Sequence, residues 1–87
     1  MIYPNPITGP GPVYLHLPLS SASNVRVRVY TSAFRMVNSL SFENVQPGQD
    51  VAIPLTNKWG GVLASGLYYL SVDAGGKHWI VKLMVIR

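Results

Sequence analysis

The chain has 87 residues, of which 48% are hydrophobic and only 11% are charged, and it contains no cysteine. This length fits one domain with a single core, and the lack of cysteine excludes a disulfide scaffold, a thiolate zinc site and a thiol nucleophile. The net charge is +4, but the cations are scattered along the chain without a basic run, so nucleic acid is not an expected partner.

The first twelve residues are predicted to form a Pro/Gly-rich lead-in from an upstream domain. Residues 4–12 contain four prolines and two glycines, a composition that disfavours a helix and favours extended or turning backbone. The N-terminus also lacks the basic start and apolar centre of a signal peptide. We therefore expect a fragment of a longer exported protein, in which residues 13–87 form the folded domain.

Alternating apolar and polar residues predict β-strands in the rest of the chain, and no window shows helical periodicity. Residues 13–19 and 25–30 alternate most clearly, with valines facing a core and arginines facing water in the second segment. Residues 34–42 are ambiguous between a strand and irregular structure. A turn at residues 46–49, which contains Pro-Gly, precedes another alternating strand at residues 51–55.

The last two strands are predicted to form a hairpin around Gly75 and Gly76. Residues 67–74 are rich in aromatic and β-branched side chains, and residues 77–87 are apolar at both alternate positions. Because this pattern is typical of a strand covered on both faces, the final strand is predicted to be covered or central rather than an exposed edge. Six to seven short strands, with turns about every ten residues, predict a single-domain, all-β, antiparallel Ig-like β-sandwich.

Side chains suited to catalysis or metal binding are scarce. The chain has three carboxylates and two histidines, His16 and His78, and neither histidine lies in a motif with a third ligand. The segment around Ser65 lacks the first glycine of a nucleophile elbow. Pro10 and Pro12 remove amide donors that a phosphate loop would use. We therefore expect no enzyme activity, no cofactor and no metal.

Aromatic residues support one binding hypothesis. Tyr14, Tyr30, Trp59 and Trp79 are candidates for an exposed surface on which a sugar stacks, with Trp59 and Trp79 as the possible glycan contacts. The alternative is that these residues pack in the core or along its edges. For Trp59, which lies beside two glycines, the favoured interpretation is a plug at one end of the sandwich.

Four segments occur in an order that resembles a known family. They are Tyr-Pro-Asn-Pro at residues 3–6, Ala-Ser-Gly-Leu-Tyr-Tyr-Leu-Ser-Val at residues 64–72, Gly-Gly-Lys at residues 75–77 and Lys-Leu-Met-Val-Ile-Arg at residues 82–87. In this order they are similar to the C-terminal sorting domains of proteins exported by the type IX secretion system. They are also similar to the related Ig-like domain of the flagellar hook-capping family.

The resemblance to sorting domains implies a noncatalytic module at the end of a secreted protein. Such a module is recognised by the export machinery and acts as a sorting and attachment signal at the cell surface. By position in the family motifs, the resemblance assigns sorting or partner recognition to ten residues: Pro4, Asn5, Pro6, Gly66, Leu67, Tyr68, Lys82, Leu83, Val85 and Arg87.

One segment favours the hook-capping type instead. Residues 57–66 resemble a Trp-Asp-Gly turn followed by Ala-Ser-Gly, with Gly60 in place of the aspartate. The alternatives are therefore a structural accessory domain that contacts an adjacent catalytic domain, a hook-capping-type assembly protein, and a carbohydrate-binding module. Each places the chain in a secreted or cell-surface protein, and the longest apolar run, residues 83–86, is too short to span a membrane.

Overall fold

The alternating sequence folds into eight β-strands and no helix. The computed structural model describes residues 1–87, and its strands are β1 (Ile2–Tyr3), β2 (Ile7–Thr8), β3 (Val13–Leu15), β4 (Ser23–Thr31), β5 (Met36–Val45), β6 (Val51–Ile53), β7 (Gly66–Ala74) and β8 (Lys77–Ile86). The predicted all-β, Ig-like sandwich is confirmed, and the lead-in adds two short strands to it. No helix is present that is long and apolar enough to cross a membrane.

The strands form two sheets. Strands β1, β3 and β6 make a three-stranded sheet in that order, and β2, β8, β7, β4 and β5 make a five-stranded sheet. Neighbouring strands are antiparallel except β2 and β8, which pair in parallel with Ile7 opposite Val85 and Thr8 opposite Ile86. The predicted antiparallel arrangement therefore holds for every pair but this one, which joins the lead-in to the last strand.

One continuous apolar core is built from alternate residues of both sheets. Val25, Val27 and Val29 of β4 are buried while Arg26 between them is exposed, because successive side chains of a strand point to opposite faces. Ile2 and Ile7 belong to the same buried cluster, so the lead-in packs against the sandwich. That residues 1–12 connect to an upstream domain remains a prediction.

The predicted turns are confirmed. In the first turn the Gln49 N–H donates to the Gln46 carbonyl at 3.0 Å, and Gly48 has the positive φ, 83°, that favours glycine. The ambiguous segment that follows β4 is mostly strand, within β5. At the hairpin between β7 and β8, Gly75 and Gly76 both have positive φ, as a tight two-residue hairpin loop requires.

The position of β8 corrects one prediction. Strand β2 pairs with β8 only at Val85 and Ile86, and no strand lies beside residues 77–84 on the side away from β7. Ile80 is 61% exposed, and Met84 and Ile86 are exposed as well. The prediction of a covered strand was wrong because apolar side chains of one parity lie on the open outer face of the five-stranded sheet.

Candidate functional site

The Pro-Asn-Pro motif of the lead-in binds the last strand through one side chain. Asn5 Nδ2 donates to the Lys82 carbonyl at 2.8 Å, and Asn5 Oδ1 accepts from the Met84 N–H at 3.1 Å. Pro4 and Pro6 have no N–H of their own, so the amide of Asn5 supplies both the donor and the acceptor that the edge of β8 needs. The side chain thus takes the place of a peptide group in a neighbouring strand.

The main chain continues this contact directly after Pro6. Residues Ile7 and Thr8 form β2 beside β8, and the Gly9 N–H donates to the Ile86 carbonyl at 3.4 Å. We call this arrangement, formed by Asn5, β2 and residues 82–86, the terminal clamp. It brings together the opening and closing segments of the chain, so the two outermost family motifs lie on one surface.

A second set of contacts holds the residue that follows β8. The Arg87 N–H donates to Ser65 Oγ and Arg87 Nε donates to the Leu63 carbonyl, both at 2.8 Å. The Tyr68 hydroxyl donates to the Ala64 carbonyl at 2.7 Å. The Ala-Ser-Gly segment is therefore tied both to the end of the chain and to β7.

The ten residues assigned by resemblance fall into groups that differ in accessibility. Five are exposed, two are half-buried and three are buried. The exposed ones are Pro4, Asn5, Pro6, Lys82 and Arg87; the half-buried ones are Gly66 and Leu67; the buried ones are Tyr68, Leu83 and Val85. A partner can touch the exposed group without unfolding the domain, whereas the buried group acts on a partner only by holding β7 and β8 in place.

The structure also shows an exposed apolar surface, of which only Tyr30 was a candidate from the sequence. Phe34 is 74% exposed and stacks on Tyr69 with 5.6 Å between ring centroids. Tyr30 lies opposite both Tyr69 and Met36 in the five-stranded sheet. We call these four residues, Phe34, Met36, Tyr30 and Tyr69, the outer aromatic patch. Only Tyr30 and Tyr69 carried a signal in the sequence, an aromatic side chain at the outward parity of its strand, because Phe34 lies between β4 and β5.

Charges are unevenly distributed around the five-stranded sheet. Asp73 accepts from both Arg28 (3.4 Å) and His78 (2.7 Å), so this carboxylate is already engaged by two side chains of the domain. Lys77 and Lys82 lie on β8 in none of the three ion pairs of the domain. The last strand therefore presents two lysine side chains that form no ion pair within the domain.

A separate polar cluster fastens β1 to the three-stranded sheet. The Tyr3 hydroxyl donates to Asp50, and His16 Nδ1 lies 2.7 Å from the same carboxylate. The hydrogen bond from Tyr3, and to a lesser extent that from His16, lowers the pKa of Asp50. In turn, the hydrogen bond to the carboxylate raises the pKa of Tyr3. We call Tyr3, His16 and Asp50 the Asp50 corner. Tyr14 extends it by stacking on Tyr3, with 5.7 Å between ring centroids.

The two tryptophans lie in different environments, and only Trp59 departs from its favoured interpretation. Trp59 is 81% exposed, so the prediction that it plugs the sandwich was wrong: its loop is held instead by Asn57 Oδ1, which accepts from the N–H groups of Trp59 and Gly61 at 2.9 Å. Lys58 Nζ lies 4.6 Å from the Trp59 ring centroid. Trp79 is half-buried against the core. Glycan contact by Trp59 and Trp79 remains a prediction.

The chain combines an Ig-like sandwich with family motifs at both ends that meet in one clamp. The family of secretion system C-terminal sorting domains matches residues 1–87, and the chain belongs to this family. Domains of the family are noncatalytic sorting signals, and they mark proteins that the type IX secretion system exports to the cell surface or the extracellular space. The predicted family, function and location are therefore confirmed, and membership implies interaction with the type IX machinery.

Two solved structures from Porphyromonas gingivalis share the fold. PorZ, an essential surface component of the type IX secretion system, contains a region that is 24% identical over 100% of this chain, with a TM-score of 0.69. Dimeric latent PorU is 26% identical over 99% of this chain, with a TM-score of 0.67. The chain spans only 11% of PorZ and 9% of PorU. Among curated proteins, no sequence matches the chain.

Proposed function

We propose that the type IX machinery recognises this domain at the terminal clamp and at the residues that flank it, with Pro4, Asn5, Pro6, Lys82 and Arg87 as the contact residues. The observation that supports this proposal most strongly is the pair of hydrogen bonds from Asn5 to the main chain at Lys82 and Met84. These bonds unite two family motifs in one exposed surface. The domain then acts as a recognition and attachment module that carries no chemistry of its own.

The remaining assigned residues support this surface from below. Leu83 and Val85 are each 1% exposed. They face the core on either side of Met84, so they fix the position and register of β8 in the clamp. Tyr68 pairs with Leu83 across β7 and β8. Gly66 and Leu67 begin β7 opposite Val85 and Met84. Substitutions among these residues are expected to impair sorting through the loss of folded domain.

A secretion assay with a matched control separates recognition from folding. The domain is fused to a reporter behind a signal peptide in a host with a type IX system, and Asn5→Ala is compared with Asn24→Ala. Asn24 Oδ1 also accepts from a main-chain N–H, that of Asn44, at 3.0 Å, but it lies outside the clamp. The proposal predicts that Asn5→Ala retains the reporter in the periplasm while Asn24→Ala exports it normally.

The charged contacts are tested in the same assay. Lys82→Glu and Arg87→Glu are expected to reduce export, whereas Lys58→Glu, an exposed lysine in the loop before β7, is expected to leave it unchanged. Thermal unfolding of each purified domain measures how far each variant is destabilised. A variant that is folded but poorly exported has lost recognition rather than stability. Normal export of Asn5→Ala, Lys82→Glu and Arg87→Glu together would refute recognition at the clamp.

A second candidate function is contact with a neighbouring domain of the same polypeptide through the outer aromatic patch. The specific observation is Phe34, which is bulky, 74% exposed and held at a φ of 63°, a backbone region that costs a non-glycine residue about 1–3 kcal/mol. Phe34→Ser is expected to lower the melting temperature of the longer protein more than that of the isolated domain. Equal shifts in the two would remove this candidate.

A further inference from the structure

The edge of β8 that faces away from β7 carries main-chain groups without a partner strand. In an antiparallel pair, successive residues point their N–H and C=O groups alternately toward and away from the neighbouring strand. The Lys82 carbonyl and the Met84 N–H point away from β7, since both bind Asn5. By the same alternation, the N–H and C=O groups of His78 and Ile80 also point to the open edge.

This edge is better suited to strand pairing than the opposite edge of the same sheet. The β7–β8 ladder runs without a register shift from Gly66–Val85 to Ala74–Lys77, whereas the β4–β5 ladder has two irregularities. At β5 the Val37 carbonyl already accepts from the Lys58 N–H at 2.9 Å. Long, regular and unpaired edges are the ones that accept a further strand, because bulges and covering loops block pairing.

The sandwich is also incomplete beside this edge. Trp79 and Val81 lie opposite the fully buried Val72 and Leu70, so they face the core side, yet both are only half-buried. On the outer side Ile80 is 61% exposed. An added strand with apolar side chains on its inner face would cover Trp79 and Val81 and extend the core.

The charge at the edge selects among possible strands. Lys77 and Lys82 bracket the open groups of His78 and Ile80 and make no ion pair within the domain. Pairing of two copies of β8 would bring lysines of both chains together, and edge lysines oppose such pairing. A segment with a carboxylate at each end would instead meet Lys77 on the core-facing side of β8 and Lys82 on its outer side.

We propose that residues 77–82 of β8 accept an extended segment of a partner protein as an additional strand, a segment with apolar residues at alternate positions and acidic residues toward its ends. Main-chain hydrogen bonds to His78 and Ile80 supply the affinity, and Trp79, Val81 and the two lysines supply the selectivity. The inference goes beyond recognition at the clamp, because it concerns main-chain binding and is tested without export.

The test uses the 87-residue chain and a synthetic probe, acetyl-Glu-Val-Thr-Val-Thr-Glu-amide, which in antiparallel pairing places its glutamates opposite Lys82 and Lys77 and its valines opposite Val81 and Trp79. A control peptide has lysine in place of both glutamates. Amide hydrogen exchange is followed by NMR with and without each peptide. The amides of His78, Ile80 and Lys82 are expected to exchange at least about tenfold more slowly with the acidic peptide, and the lysine-ended peptide is expected to bind more weakly.

Two variants at one position isolate the main-chain contribution. Ile80→Pro removes an N–H that points away from β7, and so spares the β7–β8 ladder, while Ile80→Thr removes the same side chain but keeps the N–H. We expect Ile80→Pro to weaken binding of the acidic peptide by about tenfold relative to Ile80→Thr. If Ile80→Pro does not fold, the hydrogen exchange of the unmodified chain with and without the acidic peptide still tests whether a strand is added at β8.

Several results would overturn the inference. They are unchanged exchange at the three amides, protection confined to the outer aromatic patch, equal affinity of the two Ile80 variants, and stronger binding of the lysine-ended peptide. Dimers of the chain that protect the same amides without peptide would overturn the proposed occupant in favour of a second copy. Failure of the reporter fusion to be exported would bear only on the proposed function.

Discussion

The lead-in is attached to the sandwich at two places that differ in chemistry. At the terminal clamp, β2 is held to β8 by main-chain groups and by the neutral amide of Asn5. At the Asp50 corner, β1 is held by a carboxylate that accepts from Tyr3 and contacts His16. The hydrogen bonds of the clamp join neutral groups only, whereas the corner depends on the ionisation of Asp50. One short segment is thus fixed by a pH-independent and a pH-dependent contact.

The largest expected effect comes from removing the apolar support beneath the clamp. Leu83→Ala is expected to lower the free energy of unfolding by about 2–5 kcal/mol, because Leu83 is 1% exposed and leaves a cavity in the core. Chemical denaturation measures this change. Met84→Ala, at the exposed neighbouring position, is the control and should cost about 1 kcal/mol or less. Similar losses for both variants would contradict the assignment of faces on β8.

A smaller effect is expected from the clamp itself. Asn5→Ala removes two hydrogen bonds to β8 and should lower the free energy of unfolding by about 1–2 kcal/mol. The difference from the unmodified chain should be the same at pH 7 and at pH 4, which denaturation at both values checks. Asn24→Ala, which loses one hydrogen bond, should cost less. A loss that changed with pH would show that the clamp and the corner are coupled.

The Asp50 corner should show the opposite pH behaviour. The pKa of Asp50 is lowered below its ordinary value of 3.8, so its stabilising contribution is complete above that value and is lost as the pH falls through the folded-state pKa. Asp50→Asn is therefore expected to destabilise the chain at pH 7 and to approach the unmodified chain in acid. Hydrogen exchange of the His16 amide, which donates to the Met1 carbonyl at 2.6 Å, reports the attachment of β1. If the free energies of unfolding of Asp50→Asn and of the unmodified chain differed by the same amount at pH 7 and in acid, the prediction would be contradicted.

The smallest effect is expected at Trp59, which belongs to neither attachment. Because Trp59 is 81% exposed, Trp59→Ala should change the free energy of unfolding, measured by chemical denaturation, by less than about 0.5 kcal/mol, in contrast to the loss expected for a plug.

The same variant tests glycan contact. Quenching of tryptophan fluorescence by a polysaccharide should disappear in Trp59→Ala if Trp59 is the contact, and a flat titration of the unmodified chain would remove that function.

Local alternation was enough to predict most of the fold. The valines of β4, the Gln46–Gln49 turn and the Gly-Gly hairpin depend on residues close in sequence, and each is present as expected. The exposure of Ile80 depends instead on whether anything covers the outer face of the five-stranded sheet, and local alternation does not show which faces of a sheet are covered. Sequence patterns therefore predicted the elements and the core better than their edges.

The candidate site could be predicted only in part for the same reason. The family motifs named Asn5 and Lys82, but their contact joins residues that are 77 positions apart. No local pattern indicates that an asparagine side chain will make the main-chain hydrogen bonds that a neighbouring strand would otherwise make. The outer aromatic patch escaped notice because Phe34 lies in a turn, where its exposure is set by a φ of 63°. Trp59 was misplaced because adjacent glycines indicate a loop but not its position.

The parallel pairing of β2 and β8 has a mechanical consequence. Because the two strands run in the same direction, a force that pulls the chain at its N-terminal side and at Arg87 slides them past each other. Their hydrogen bonds, and those of Asn5, then carry the load together instead of opening one after another, as they would in a hairpin pulled from its open end. Tension along the polypeptide thus loads this pair in shear, along the strands, rather than peeling one strand from the other.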